Sequence, residues 1–217
     1  MKIKAVILDF DGVIVSSKVA EYDCWKKIFK VFGCDLDMRK WIKIIDNPAG
    51  VFDPATIIEN ECKFKDKEHK IDLEAIRVMR YNLYEYVVER LGSFSGITSF
   101  LKDYSQRGLI GLASNGTHAK SAYYLKKLRL LKYFNCIKCR DDVKNRKPAP
   151  DVYQAVLKEF QIEPHEAIAI EDSPPGITAA KAAGLYCIAI PNRITKFLDL
   201  SEADETVSSI KKVSENW

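Results

Sequence analysis

The sequence predicts an α/β protein: a three-layer, doubly wound, mostly parallel sheet into which an α-helical domain is inserted. Three observations carry that prediction. Short apolar runs rich in branched residues recur at Lys4 to Leu8, Leu109 to Ala113, Ala167 to Ile170 and Tyr186 to Ile190, with a weaker one at Phe134 to Lys138. Such runs are what strands buried on both faces look like. Stretches with helical spacing separate them, and strands alternating with helices imply βαβ units with helices on both faces of the sheet. One segment breaks the alternation, because from about Ser16 to Leu91 there are only helical signals.

Taken in order, the first run ends abruptly in an acidic turn containing Gly12, as a buried parallel strand does where it surfaces. The segment after it, roughly 75 residues, is far longer than an ordinary α/β connection. Residues 16–91 are therefore expected as a helical domain, and residues 1–15 with 92–217 as the sheet domain. Inside the insertion Tyr22, Trp25, Lys26 and Phe29 outline one helical face, and Ile76, Met79, Leu83 and Val87 another. Its aromatics, Trp25, Phe29, Trp41, Phe52, Tyr81 and Tyr84, are expected mostly as core. Further on, Ile97, Phe100, Leu101 and Tyr104 share one helical face, with Gly108 as the stop. Val152, Ala155, Val156 and Phe160 mostly repeat the pattern before the break at Pro164, and Ile177 to Ala183 forms a small-residue helix closed by Gly184.

The bulk composition excludes several classes. The 217 residues are 47% hydrophobic and 29% charged, which suits an ordinary globular protein with a full core. A net charge of +4, from 34 basic and 30 acidic residues, is too mild to argue for a nucleic-acid partner. The densest charge cluster, Lys63 to Lys70, mixes signs and reads as a solvated surface. No run approaches the ~20 apolar residues that span a bilayer. Ala5 to Leu8 leads straight into Asp9 and Asp11, which no secretory segment would carry. The expectation is a cytoplasmic protein with no membrane partner, monomeric by default. The six cysteines, Cys24, Cys34, Cys62, Cys136, Cys139 and Cys187, are expected as free thiols. Cys136 and Cys139 form a C-x-x-C pair, but no second pair or histidine stands at ligand spacing, so a structural role is expected.

Four short segments carry chemistry. Asp9-Phe10-Asp11-Gly12 ends the first strand, and residues two apart in extended chain point the same way, so both carboxylates face one spot. Open parallel sheets bind ligands beyond the carboxyl ends of their strands. Two adjacent carboxylates repel unless a metal or a shared proton joins them. Ser114-Asn115-Gly116 follows the second strand; a hydroxyl, an amide and turn N–H groups there form a neutral cradle for phosphate oxygens, or simply a turn. In Lys147-Pro148-Ala149-Pro150-Asp151 the prolines stiffen the approach to a helix and fix where Lys147 points. A held ammonium neutralises a phosphate oxygen and an anionic nucleophile together. Glu171-Asp172-Ser173 again ends an apolar strand, and acids at such a point are costly unless they serve a cation.

In this order and at these intervals, the four segments resemble the four signature motifs of the haloacid dehalogenase superfamily. The helical insertion is similar to the cap of the subgroup containing β-phosphoglucomutase and small sugar or glycolate phosphatases, and the likeness spans essentially the whole chain. The resemblance implies a Rossmann-like core and a Mg²⁺-dependent phosphatase acting on a small phosphorylated metabolite. It implies that Asp9 is the nucleophile and becomes an aspartyl phosphate. Asp11 would protonate the leaving oxygen and then deprotonate the hydrolytic water, which requires a folded-state pKa raised by the neighbouring acids. Mg²⁺ would be held by Asp9, the backbone carbonyl of Asp11, Asp172 and Glu171, partly through water. Ser114 and Lys147, with help from Asn115, would hold the phosphoryl oxygens. Dehalogenating members lack the second acid, so Asp11 argues against that activity.

The chain departs from the subgroup's pattern at several points. Val13 replaces the threonine common after the motif's glycine in the phosphatases, a feature shared with the mutases, and Ser16-Ser17 stands where an aspartate followed by serine or threonine is common. Counting ungapped from Asp9 to Trp25 puts Glu21 where the mutases carry a functional cap histidine, and a carboxylate there repels a sugar phosphate. Asn47-Pro48-Ala49-Gly50 occupies the region of the mutases' arginine-bearing loop. Hydrolysis is therefore expected over mutase action, and over a silent phosphometabolite-binding role, which would not need Asp11.

Overall fold

The computed structural model of the chain describes residues 3–45, 53–61 and 72–213. The charge cluster Lys63 to Lys70, the loop Asn47 to Gly50, and Phe52 and Cys62 lie outside the described residues. The chain divides into two compact units, one of Met1–Ser16 with Gly92–Trp217 and one of Ser17–Leu91.

The first unit is built on six strands: β1 (Ala5–Leu8), β2 (Leu109–Ser114), β3 (Cys136–Cys139), β4 (Ala167–Glu171), β5 (Tyr186–Ala189) and β6 (Glu205–Thr206). They lie in the order β3-β2-β1-β4-β5-β6, and every pairing is parallel. This is the doubly wound order, in which strand succession reverses beside β1 and opens a crevice at the carboxyl ends of β1 and β4. The expected mostly parallel sheet is thus present. The two-residue β6 gave no sequence signal, since a polar Glu-Thr edge pair has neither the length nor the apolar character of a buried strand.

Strand parity decides which helix each side chain meets. Ala5 and Ile7 of β1, Ala113 of β2, Ala167 and Ala169 of β4, and Cys187 and Ala189 of β5 face one layer, together with the buried residues of α7 (Asp151–Phe160) and α8 (Pro174–Ala182). The small residues on that face let both helices approach the sheet closely. A Cβ on Gly111 would lie 2.6 Å from Val156 of α7. On the opposite face Phe10 meets Tyr124 of α6 (His118–Lys127), ring centroids 6.4 Å apart. Before β2 comes α5 (Ile97–Tyr104), whose Ile97, Leu101 and Tyr104 are buried as its spacing predicts. In α7 the buried face is Val152, Tyr153, Val156 and Leu157; Val152 and Val156 of the expected set are buried, Ala155 and Phe160 only partly so, and the helix ends on Gln161 in the left-handed conformation. Where the insertion leaves and rejoins this unit, Val15 bridges to Ser93 and Phe94 N–H donates to Ile14 O at 2.9 Å.

The second unit holds α1 (Ser17–Val31), α2 (Met38–Ile45), α3 (Pro54–Glu61) and α4 (Leu73–Val88), with no strand among its described residues. Asp72 caps α4 by accepting from Glu74 N and Ala75 N. Tyr22, Trp25, Ile28 and Phe29 of α1 are buried, but Lys26, assigned by spacing to that face, is exposed with its ammonium 5.8 Å from the Tyr22 ring centre. On α4 the buried residues are Ile76 and Val88, while Met79 and Tyr81 are exposed. Spacing finds a face without its limits, and α4 buries a narrower stripe than its apolar residues outline. Cys34 is disulfide-bonded, which corrects the expectation of free thiols at that position; scattered spacing carries no information on which sulfurs the fold brings together. Cys24, Cys136, Cys139 and Cys187 are free. Among the described residues no helix is long and apolar enough to cross a membrane.

Candidate active site

Parity also builds the site. Asp9 continues the Ala5, Ile7 side of β1, and Glu171 continues the Ala167, Ala169 side of β4, so both reach toward the start of α7. There Lys147, 5% exposed, directs its Nζ to Asp9 Oδ1 at 2.7 Å, to Glu171 Oε1 at 2.5 Å and to Ala113 O at 2.8 Å. Burial alone would lower the lysine pKa, but the two carboxylates outweigh it and hold the ammonium charged, above its ordinary value. Glu171 is pushed up to about 7, first by burial, with Lys147 opposing and Asp9 and Asp172 adding repulsion. Its Oε2 accepts from Asp172 N at 3.1 Å.

Asp9, Glu171 and Asp172 are all buried and offer three ligand atoms within 4.8 Å of one another. When all are ionised, three carboxylates against one ammonium leave two negative charges in a buried place. All-oxygen donors with that residual charge suit a hard divalent cation, so these residues fit the magnesium that the family resemblance implies. The backbone comes close as well. A Cβ on Gly12 would sit 2.0 Å from Asp172 Oδ2, and Gly12 has φ +107°, so only glycine lets the Asp11-Gly12 peptide pass beside Asp172.

The other expected residues lie around this cluster. Asp11 is half-buried, its Oδ2 3.9 Å from where a Cβ on Gly116 would stand. Ser114 is fully buried, and its Oγ accepts from Gly116 N at 2.9 Å, which fixes the turn. Asn115 bonds the backbone of Lys147. Its Oδ1 accepts from Lys147 N at 2.9 Å and its Nδ2 donates to Lys147 O at 3.2 Å. Both ends of the amide are thus committed to the lysine's backbone, because the β2 turn and the segment before α7 run side by side. The Lys147-Pro148 peptide is cis.

Two residues were missed. Tyr153 donates its phenolic proton to Glu171 Oε1 at 2.6 Å, and its ring centre lies 4.8 Å from Lys147 Nζ. Its signal was a tyrosine beside the apolar face of α7, since a buried phenol needs a hydrogen-bond partner. Asn192, just past β5, donates from Nδ2 to Asp172 Oδ2 at 2.8 Å; nothing in its sequence neighbourhood marks it.

Comparison with known proteins agrees with this architecture. Residues 6–190 match the haloacid dehalogenase-like hydrolase family. YhcW of Bacillus subtilis (strain 168), named provisionally as a phosphatase, is 32% identical over 97% of this chain and 94% of its own. A phosphorylated carbohydrates phosphatase of Thermotoga maritima is 27% identical over 84% of this chain and 82% of its own. The solved structure of a T. maritima protein named provisionally as a β-phosphoglucomutase superposes with a TM-score of 0.74 at 25% identity, covering 94% of each chain. Four acid, serine and lysine motifs at the tips of a parallel sheet, and a family match over most of the chain, lead to one conclusion: the protein belongs to the haloacid dehalogenase-like hydrolases.

Proposed function

We propose that the protein is a Mg²⁺-dependent phosphatase of a small phosphorylated metabolite, of the sugar phosphate class, acting through an aspartyl phosphate on Asp9. The observation that carries this reading is the buried contact of Lys147 Nζ with Asp9 Oδ1 at 2.7 Å, next to the Glu171 and Asp172 carboxylates. Such an arrangement aims the Asp9 carboxylate while offering positive charge to an incoming phosphoryl group. The substrate class follows from relatives such as the carbohydrate phosphatase.

In the first half-reaction an Asp9 carboxylate oxygen attacks phosphorus, the bond to the ester oxygen breaks, and Asp11 delivers its proton to that leaving oxygen. In the second, Asp11 takes a proton from water, the water oxygen attacks phosphorus, and inorganic phosphate leaves as Asp9 is restored. Lys147 and Ser114 hold the non-bridging oxygens, and Asn115 keeps Lys147 in place. Asp9, Asp172, the Asp11 carbonyl and Glu171 through water would hold Mg²⁺, which when bound supplies charge neutralisation for the phosphoryl oxygens and the crowded acids.

The phosphomutase reading is the weaker one. Glu21 stands where the mutases carry their cap histidine, and it is ion-paired to Arg80 at 3.4 Å, which suits anchoring rather than proton transfer. The test is a screen of the purified protein against phosphorylated metabolites with Mg²⁺. Asp9→Asn should cut phosphate release by at least ~10³-fold, and Asp11→Asn by ~10²–10⁴-fold with loss of the profile limb that needs a protonated acid. Release that survives Asp9→Asn removes the covalent route. Isomerised sugar phosphate with little free phosphate makes the protein a mutase.

A further inference from the structure

We propose that His118, Cys139 and Asp142 form a second metal site, selective for a divalent transition metal of the zinc type, at the carboxyl end of β3. One ligand atom from each lies within 4.8 Å of the others. His118 opens α6, Cys139 closes β3, and Asp142 sits in the turn that follows β3. The sulfur belongs to the C-x-x-C pair that the phosphatase chemistry leaves unused. Cys136, three residues earlier on the strand, points to the other face, so the two do not form a redox pair.

The backbone holds the trio ready. Asp141 accepts from His118 N at 2.8 and 3.1 Å with its two oxygens. Asp142 Oδ2 accepts from Cys139 N at 2.7 Å and lies 3.1 Å from His118 Nδ1. Zinc bonds of roughly 2.0–2.3 Å place tetrahedral ligand atoms roughly 3.3–3.8 Å apart, so side-chain rotations of under about 1 Å close the site. One thiolate, one imidazole and one carboxylate suit zinc and reject magnesium, whereas the all-oxygen Asp9 cluster has the opposite preference. Three protein ligands leave a fourth position for water.

Access and proton balance are consistent with this. The His118 and Asp142 side chains are 46% and 32% exposed, while Cys139 is fully buried behind them, so the ion arrives from solvent and the sulfur is shielded. Burial pushes the Cys139 thiol up to about 11, and its Sγ–H donates to Ser121 Oγ at 3.5 Å. Binding therefore forms a metal–sulfur bond and releases the thiol proton to solvent. His118 follows the Ser114-Asn115-Gly116 turn by two residues, and Arg140 N donates to Gly116 O at 3.2 Å. A bound ion would tie the exit of that turn to the end of β3.

The probe is Co²⁺ added to the full-length protein in excess Mg²⁺. The expected result is a thiolate-to-cobalt charge-transfer band in the near ultraviolet, which zinc displaces. The band should vanish in Cys139→Ser, persist in Cys136→Ser and persist in Asp172→Asn, since the Asp9 cluster contains no sulfur. His118→Ala, at an exposed position that does not endanger folding, should weaken zinc binding by at least about tenfold through loss of one of three protein ligands. The absence of a band, a band that survives Cys139→Ser, or zinc affinity unchanged by His118→Ala would overturn the proposal.

Discussion

Lys147 is the residue on which the site turns, and the two side chains that manage it differ in kind. Tyr153 touches its charge and Asn115 touches its backbone. Tyr153→Phe keeps the ring and removes the phenolic donor to buried Glu171 Oε1, so a loss of about 1–3 kcal/mol is expected in urea unfolding. Asn115→Ala frees the peptide at Lys147, and kcat should fall about tenfold, the equivalent of about 1.4 kcal/mol in the transition state. KM should stay within about twofold, because the bonds that the substitution removes hold the backbone of the lysine. A rise in KM at constant kcat would instead mean that Asn115 contacts phosphate directly. The fold brings Asp9, Lys147, Glu171 and Asp172 into one cluster, and the sequence marks each of them because it stands at a strand tip or in a proline-stiffened approach. The bonds of Asn115 to Lys147 and of Asn192 to Asp172 were invisible, because only folding shows which loop runs beside which.

At the scale of elements, the short β6 edge depends on one polar clamp. Asp204 accepts from Lys181 Nζ at 2.6 Å and from Cys187 N at 2.7 Å, joining α8, β5 and the approach to β6. Partial burial raises its pKa, but these hydrogen bonds outweigh it and leave the folded value below 3.8. A depressed carboxylate contributes stability that is fully present above the unfolded pKa and is lost as pH falls through the folded one. Asp204→Ala should therefore cost about 1–2 kcal/mol at pH 7, discounted for the solvent-open Lys181 end. In acid titrations of both proteins, that difference should shrink as pH drops below 3.8. An unchanging difference would make the loss one of packing rather than charge.

At the scale of the molecule, the sheet gathers more negative charge than its own lysine neutralises, and the balance implies a folded state that gains from a divalent cation. Thermal unfolding in excess Mg²⁺ against chelator should show a rise of about 3–8 °C, the size given by saturating one site in a protein of this length. Asp172→Asn should abolish most of that rise while leaving zinc binding at His118, Cys139 and Asp142 intact. An equal rise in the variant would place the stabilising cation elsewhere.

The alternation of apolar strands with helices, the long helical interruption and the acids at two strand tips were determined by local sequence alone, since period and turn chemistry act between near neighbours. Which buried stripe α4 presents, the clamp of Asn115 on Lys147, the tyrosine under that lysine and the disulfide at Cys34 were decided only by tertiary structure. The same holds for Cys139, whose pair lacks a histidine at ligand spacing and gains His118 only because α6 begins beside the end of β3. Contacts between residues far apart in sequence depend on how strands are ordered and helices laid across them, and no local pattern encodes that order.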